Sequence, residues 1–252
     1  MALPAGDLFL SLLAAVNLEA ELADRLAEVR ERMARAASGC GRAPGDVRLI
    51  AVSKTYSLDY VRAAAAAGQR DFGENRVQEA LQKIEASPDL DVRWHLIGHL
   101  QSNKARKAAR PFAWIHSIDR LELLDAVDHA ATEIGTTPEV LVQVDLAGEP
   151  TKHGATLDHV RTMFDATSRM RAVRLVGLML LPPFFDDPEQ TRPYFRQLRE
   201  LRDRLDDDGV DPAYLRELSM GMSHDFEVAI EEGATMVRVG TAIFGARVQG
   251  RV

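Results

Sequence analysis

The chain predicts a single (β/α)8 barrel of the TIM type, and three observations carry that prediction. Eight short runs of apolar and β-branched residues alternate with helical patterns along nearly the whole sequence. The first of these runs, Leu49-Ile50-Ala51-Val52-Ser53, has no polar alternation, as expected of a parallel strand covered on both faces. The 252 residues match the roughly 250 that one closed barrel needs.

In order, the first expected element is a helix over 17–38, where Leu18, Leu22, Leu26, Val29 and Met33 recur at three- and four-residue spacing. Gly39 and Gly41 end it. Strand one follows and runs out onto Lys54. Then come a helix over 58–67 and a strand at 71–73, and a helix over 77–85 with a strand at 92–97. A basic helix over 103–109 precedes a strand at 113–117, and a helix over 121–134 precedes 140–144. Helix 157–170 leads to strand 175–179, helix 189–205 to a strand near 217–220, and helix 225–232 to strand 235–239. The helix after strand eight is expected to be missing or very short, and the N-terminal helix could fill that gap in the outer ring. No repeat, linker or low-complexity stretch marks a second domain. Residues 1–18 read as an N-terminal extension and 19–252 as the barrel domain. The apolar run at 8–16 is too short to span a bilayer, and no Lys or Arg precedes it, so no secretory signal is expected.

A net charge of -7 with no basic block argues against nucleic acid as the main partner. The single cysteine, Cys40, cannot form an internal disulfide, which points to a reducing compartment and a cytoplasmic location. It also excludes a metal site built on thiolates. His95 and His99 are four residues apart, but Gly98 and the strand-to-loop context argue against a helical metal pair, so no metal is expected. Lys104, Arg106, Lys107 and Arg110 read as a solvated helix face.

In such a barrel the chemistry sits at the carboxyl ends of the strands. Alternation puts Ile50, Val52 and Lys54 on one side of strand one, with the amine at its end. A desolvated lysine there can act as an amine nucleophile toward a carbonyl compound. Strands seven and eight are followed by Ser219-Met220-Gly221-Met222-Ser223-His224 and Gly240-Thr241-Ala242-Ile243-Phe244-Gly245. Small residues let backbone N–H groups approach an anion, and the Ser223 and Thr241 hydroxyls add donors. Ordinary glycine turns capped by Ser or Thr are the plainer alternative for each loop; the pair at these two strand ends favours phosphate. Arg238 stands inside the apolar strand Met236-Val237-Arg238-Val239 and needs an acceptor, a role a pyridine nitrogen would fill. Schiff-base lysine, phosphate loops and a donor to a ring nitrogen together describe pyridoxal 5'-phosphate (PLP).

The segments 49–55, 72–79, 94–104, 177–179, 218–223 and 240–245 resemble the pyridoxal phosphate homeostasis protein family, itself similar to the N-terminal barrel of alanine racemase. The likeness covers about residues 19 to 248. It implies a fold type III PLP-binding barrel in which Lys54 carries the cofactor as an aldimine. It further implies that Ser223, Gly240 and Thr241, with the Met222 backbone, hold the phosphate. Arg238 would face the pyridine nitrogen, and Asn75 and Met179 would line the cofactor. Two departures from the family pattern, the N-terminal extension and the aromatic-rich loop 182–187, are expected to leave this site untouched.

The implied role is PLP homeostasis and cofactor supply by a carrier without strong catalysis of its own. A racemase needs two proton-transfer groups on opposite faces of the substrate carbon. In alanine racemase the second comes from an added β-domain, for which this length leaves no room. None of Tyr56, Tyr60, Tyr194 and Tyr214 is an obvious substitute. An arginine at the ring nitrogen also disfavours the protonated pyridine that serves as a strong electron sink. A weakly active racemase of the alanine racemase type and an aldolase-type enzyme acting on a sugar phosphate are the alternatives. A monomer is expected, without membrane or nucleic-acid partners, and PLP-dependent apo-enzymes are the candidate recipients.

Overall fold

The structure, a computed structural model, describes residues 5–148 and 153–246. Its eight strands are β1 (Arg48–Val52), β2 (Asp71–Glu74), β3 (Arg93–Leu96), β4 (Trp114–Ile118), β5 (Glu139–Val144), β6 (Arg174–Leu180), β7 (Glu217–Met222) and β8 (Met236–Val239). All neighbours pair in parallel, and β8 closes on β1 through the register Ile50 to Arg238. The expected barrel is therefore present, strand for strand.

The ring around it consists of α1 (Ala5–Gly39), α2 (Leu58–Ala66), α3 (Val77–Glu85), α4 (Ala105–Ala109), α5 (Leu121–Ile134), α6 (Leu157–Asp165), α7 (Arg192–Asp207) and α8 (Phe226–Glu231). After β8 there is only the four-residue α9 (Thr241–Phe244). Helix α1 packs against α2, α8 and α9, so it does occupy the place left in the ring. It buries Leu22, Leu26, Val29 and Met33, the stripe its periodicity implied. The helix also runs unbroken through 8–16, so that apolar run continues α1. No helix among the described residues is long and apolar enough to cross a membrane.

Two cores result. The larger lies between sheet and helices and includes Phe72, Trp94, Leu123 and Phe195. The smaller fills the bore with Ile50, Trp114, Leu141, Val176, Met179 and Met236. Bulky branched apolar residues usually dominate such a bore. Here the fully buried His95, His116 and Ser219 share it, with Arg238 almost as buried.

Candidate functional site

A cavity of about 340 Å³ opens at the carboxyl ends of the strands. Lys54, Asn75, Met222, Ser223, Arg238, Gly240 and Thr241 all contribute to its wall. Seven of the eight expected site residues thus meet in one place. Met179 does not: it is fully buried in the bore, one layer below. The period of a strand explains the offset. Two residues further along β6 and its exit, on the same face, Leu181 reaches the wall instead.

Lys54 follows β1 within a tight turn whose two flanking residues are both anchored. The Ser53 carbonyl accepts from Tyr56 N at 3.1 Å and from Lys83 Nζ at 2.8 Å. Its hydroxyl donates to Glu74 Oε1 at 2.7 Å, which also takes Lys83 Nζ at 2.6 Å. On the other side Thr55 N donates to Glu79 Oε1 at 2.5 Å. Thr55 has φ 71°, a left-handed backbone that a β-branched residue adopts only when its surroundings impose it. Glu74 is fully buried and Lys83 almost so. Burial pushes the Glu74 carboxyl up, against the opposing pull of the Lys83 ammonium. This brace was not foreseen, because its members lie on β1, β2 and α3 and no local pattern links them.

Asn75 leaves β2 and contributes the most direct sign of a missing partner: its Oδ1 is buried and unpaired. The Asn75 main chain also requires glycine at 98, since a Cβ there would come within 2.3 Å of the Asn75 backbone carbonyl oxygen.

On the opposite wall, Ser223 Oγ accepts from Gly240 N at 3.0 Å and Ala242 N at 3.4 Å, tying the two strand-end loops together. The left-handed Gly221, at φ 92°, makes the first loop possible, because a Cβ would come within 2.6 Å of Ala229 Cβ. Met222 lines the cavity, but its N–H already donates to Asp225 Oδ1 at 2.7 Å. An anion drawing on that N–H would have to displace Asp225. Arg238 donates to Ser219 Oγ at 2.7 Å and to the Leu180 carbonyl at 2.8 Å. Burial pulls its guanidinium down to about 10, which leaves it charged at neutral pH.

The loop 182–187 does reach the site, contrary to expectation. Phe184 lines the mouth while 74% exposed, and its ring lies 5.5 Å from that of His224. Tyr56 also lines the wall and donates its hydroxyl to the Gly245 carbonyl at 2.6 Å. Neither residue belongs to a motif that marks it in sequence.

His95 and His99 part ways. His95 is inside the bore, whereas His99 is on the rim, where its ring stacks on His153 at 3.6 Å with Asp119 nearby. One ligand atom from each of these three rim residues lies within 4.8 Å of the others. The rings are nearly parallel, however, so an ion in the plane of one would stand off the plane of the other.

The residues fit PLP. A phosphate would find the Ser223 and Thr241 hydroxyls, Asn75 offers an unpaired polar atom, and Arg238 presents a buried donor. Comparison with known proteins bears on the same point. Residues 25–248 match the alanine racemase N-terminal domain family. The chain is 45% identical over 224 residues to the pyridoxal phosphate homeostasis protein of Aquifex aeolicus, covering 89% of this chain and 97% of that one. It is 44% identical over 230 residues to the protein of the same description from Pseudomonas aeruginosa, covering 91% and 97%. This chain belongs to the pyridoxal phosphate homeostasis protein family. Among solved structures, PipY of Synechococcus elongatus PCC7942 with PLP bound is 42% identical, with a TM-score of 0.79 over 89% of this chain and all of that one. Alanine racemase of Clostridium difficile 630, at 15% identity and a TM-score of 0.69, shares the barrel fold.

Proposed function

We propose that the chain binds PLP at Lys54 and serves in PLP homeostasis and cofactor supply, without strong catalysis of its own. The observation that carries this reading is the cavity itself. It gathers an amine on a braced turn, an unpaired amide oxygen, two hydroxyls and a buried guanidinium at one barrel mouth. The cofactor supplies an aldehyde that condenses with an amine and releases one water. Lys54 brings the amine, and the anchored Ser53 and Thr55 fix where it points. Ser223 and Thr241 bind the phosphate, and Gly240, whose N–H donates to Ser223 Oγ, lets the backbone approach it closely. Arg238 holds its protons against the ring nitrogen and does not transfer them, which withholds the pyridinium that carbanion chemistry needs. The family resemblance and the PLP-bound relative support the same reading.

The working unit in this proposal is the barrel domain of residues 19–252, with 1–18 as an extension. It acts in the cytoplasm as a monomer, and PLP-dependent apo-enzymes receive the cofactor. Addition of PLP to the purified protein should produce a visible absorption band that Lys54→Ala abolishes. A band unaffected by that substitution would contradict the proposal.

A second reading, weak racemisation, draws on the position of Tyr56 in the wall. Its hydroxyl proton is committed to Gly245, which argues against a free-swinging acid. Exchange of the Cα proton of amino acids in deuterated solvent separates the two readings. Turnover near ordinary enzyme rates, ~1 s⁻¹ or faster, would establish catalysis.

A further inference from the structure

A continuous file of hydrogen bonds crosses the barrel from its lower rim to the cavity. It begins at Asp71, the first residue of β2, whose Oδ2 takes Arg93 Nη2 at 2.7 Å and whose Oδ1 meets His95 Nε2 at 2.9 Å. His95 Nδ1 lies 3.0 Å from His116 Nε2, and His116 Nδ1 lies 2.9 Å from Ser219 Oγ. Arg238 Nη1 closes the file on Ser219 at 2.7 Å, and Arg238 is part of the cavity wall. Every member between Arg93 and the cavity is buried.

The two ends fix where each proton sits. Asp71 is held below the usual carboxylate range: burial alone would raise it, but His95 and Arg93 outweigh that. It can therefore only accept, so His95 carries its proton on Nε2. Burial holds both histidines below their ordinary value, His116 well below, and neutral rings have one donor and one acceptor each. His95 Nδ1 then accepts from His116 Nε2–H, and His116 Nδ1 accepts the Ser219 hydroxyl proton. Ser219 is left with its lone pairs for Arg238, which can only donate. A single direction satisfies every link from guanidinium to carboxylate.

A bore of this kind would pack well with aliphatic side chains, and each buried polar group is costly unless matched. Packing therefore does not explain the file. What it provides is a fixed orientation and a remote negative end for a buried cation whose hydrogen bonds to Ser219 Oγ and the Leu180 carbonyl are both to neutral acceptors. Asp225 acts on Arg238 through space as a second negative group, while Arg48 adds positive field near both histidines. Chains of hydrogen bonds polarise one another, so the carboxylate end influences how strongly the far end accepts.

We propose that Asp71, His95, His116 and Ser219 are positioning residues that orient Arg238 and set how strongly it donates to the ring nitrogen of bound PLP. This rests on the reading of the site as a PLP site. Asp71 is the decisive member, because it is the charged end of the file and the member farthest along it from the cavity.

Nitrogen-15 NMR tests the inference in two arms. In the protein without PLP, both histidines should give the signature of neutral Nε2–H rings. Asp71→Asn should move the His116 signals, two links away. In protein loaded with PLP labelled at the ring nitrogen, Asp71→Asn and Ser219→Ala should both shift the ring resonance while the visible band is retained. Ser219→Ala breaks the file while Arg238 keeps its bond to the Leu180 carbonyl, so it keeps the test open should Asp71→Asn fold poorly. A ring resonance that stays in place in both variants, with the cofactor still bound, overturns the proposal. So do histidines of the opposite tautomer. Wild-type protein that shows no bound ring signal defeats the cofactor reading itself, a distinct result.

Discussion

The two walls of the cavity are built on different principles. On the β1–β2 side, Lys54 is held by buried charges: the Lys83 ammonium and the Glu74 carboxylate grip the Ser53 carbonyl and hydroxyl, and Glu79 takes Thr55. On the β7–β8 side the strand-end loops are held without an ion pair, by small residues, two hydroxyls and N–H groups knitted through Ser223, and the one buried cation, Arg238, has only neutral hydrogen-bond partners among the described residues. The contrast follows the bond each wall would make in the proposed function. A covalent anchor needs one amine in one place, and the strained Thr55 turn persists only because its neighbours over-determine it. An anion needs several donors of moderate strength and close backbone approach.

The largest effect that could break this comparison is on the charged wall. Lys83→Met leaves the Glu74 carboxylate buried without its cation and should cost about 3–5 kcal/mol of stability in urea titrations. Lys83→Met combined with Glu74→Gln should recover part of that loss. A single-variant cost below about 1 kcal/mol would mean the brace is not structural. On the opposite wall Thr241→Val should leave stability nearly unchanged. It should weaken PLP binding by about tenfold, as expected for a lost hydrogen bond to a charged group worth about 1.5 kcal/mol. Fluorescence titration would measure it.

A graded effect comes from the bore between the walls. His95 and His116 titrate below their ordinary value in the folded chain, chiefly because they are buried. As pH falls through about 6.5 the unfolded chain takes up protons that the folded chain refuses. Stability is therefore full above that value and declines below it. Thermal melts between pH 8 and 5 should show this decline, and His116→Gln should flatten it. The smallest effect is expected at the mouth. Phe184 is largely exposed, so Phe184→Ala should change stability by less than about 0.5 kcal/mol while loosening PLP retention only slightly.

The β7–β8 wall was legible in the sequence because its residues are contiguous: Gly221 to Ser223 and Gly240 to Thr241 stand at the carboxyl ends of their strands. Lys54 was legible because alternation carries a strand's facing from Ile50 and Val52 onto it. The brace was not, since Ser53, Glu74 and Lys83 come together only when β1, β2 and α3 pack. The file through the bore left a trace in the paired patterns Trp94-His95 and Trp114-Ile115-His116. Nothing local, however, said that both imidazoles face inward within hydrogen-bond reach of each other. Met179 was placed one layer too high for the same reason, and the loop bearing Phe184 has no periodicity to read.

The most direct test of the account is borohydride reduction of the PLP-loaded protein followed by peptide mass mapping. The account predicts one stable adduct, on Lys54. An adduct on Lys83 or on any other lysine, with Lys54 unmodified, would contradict it.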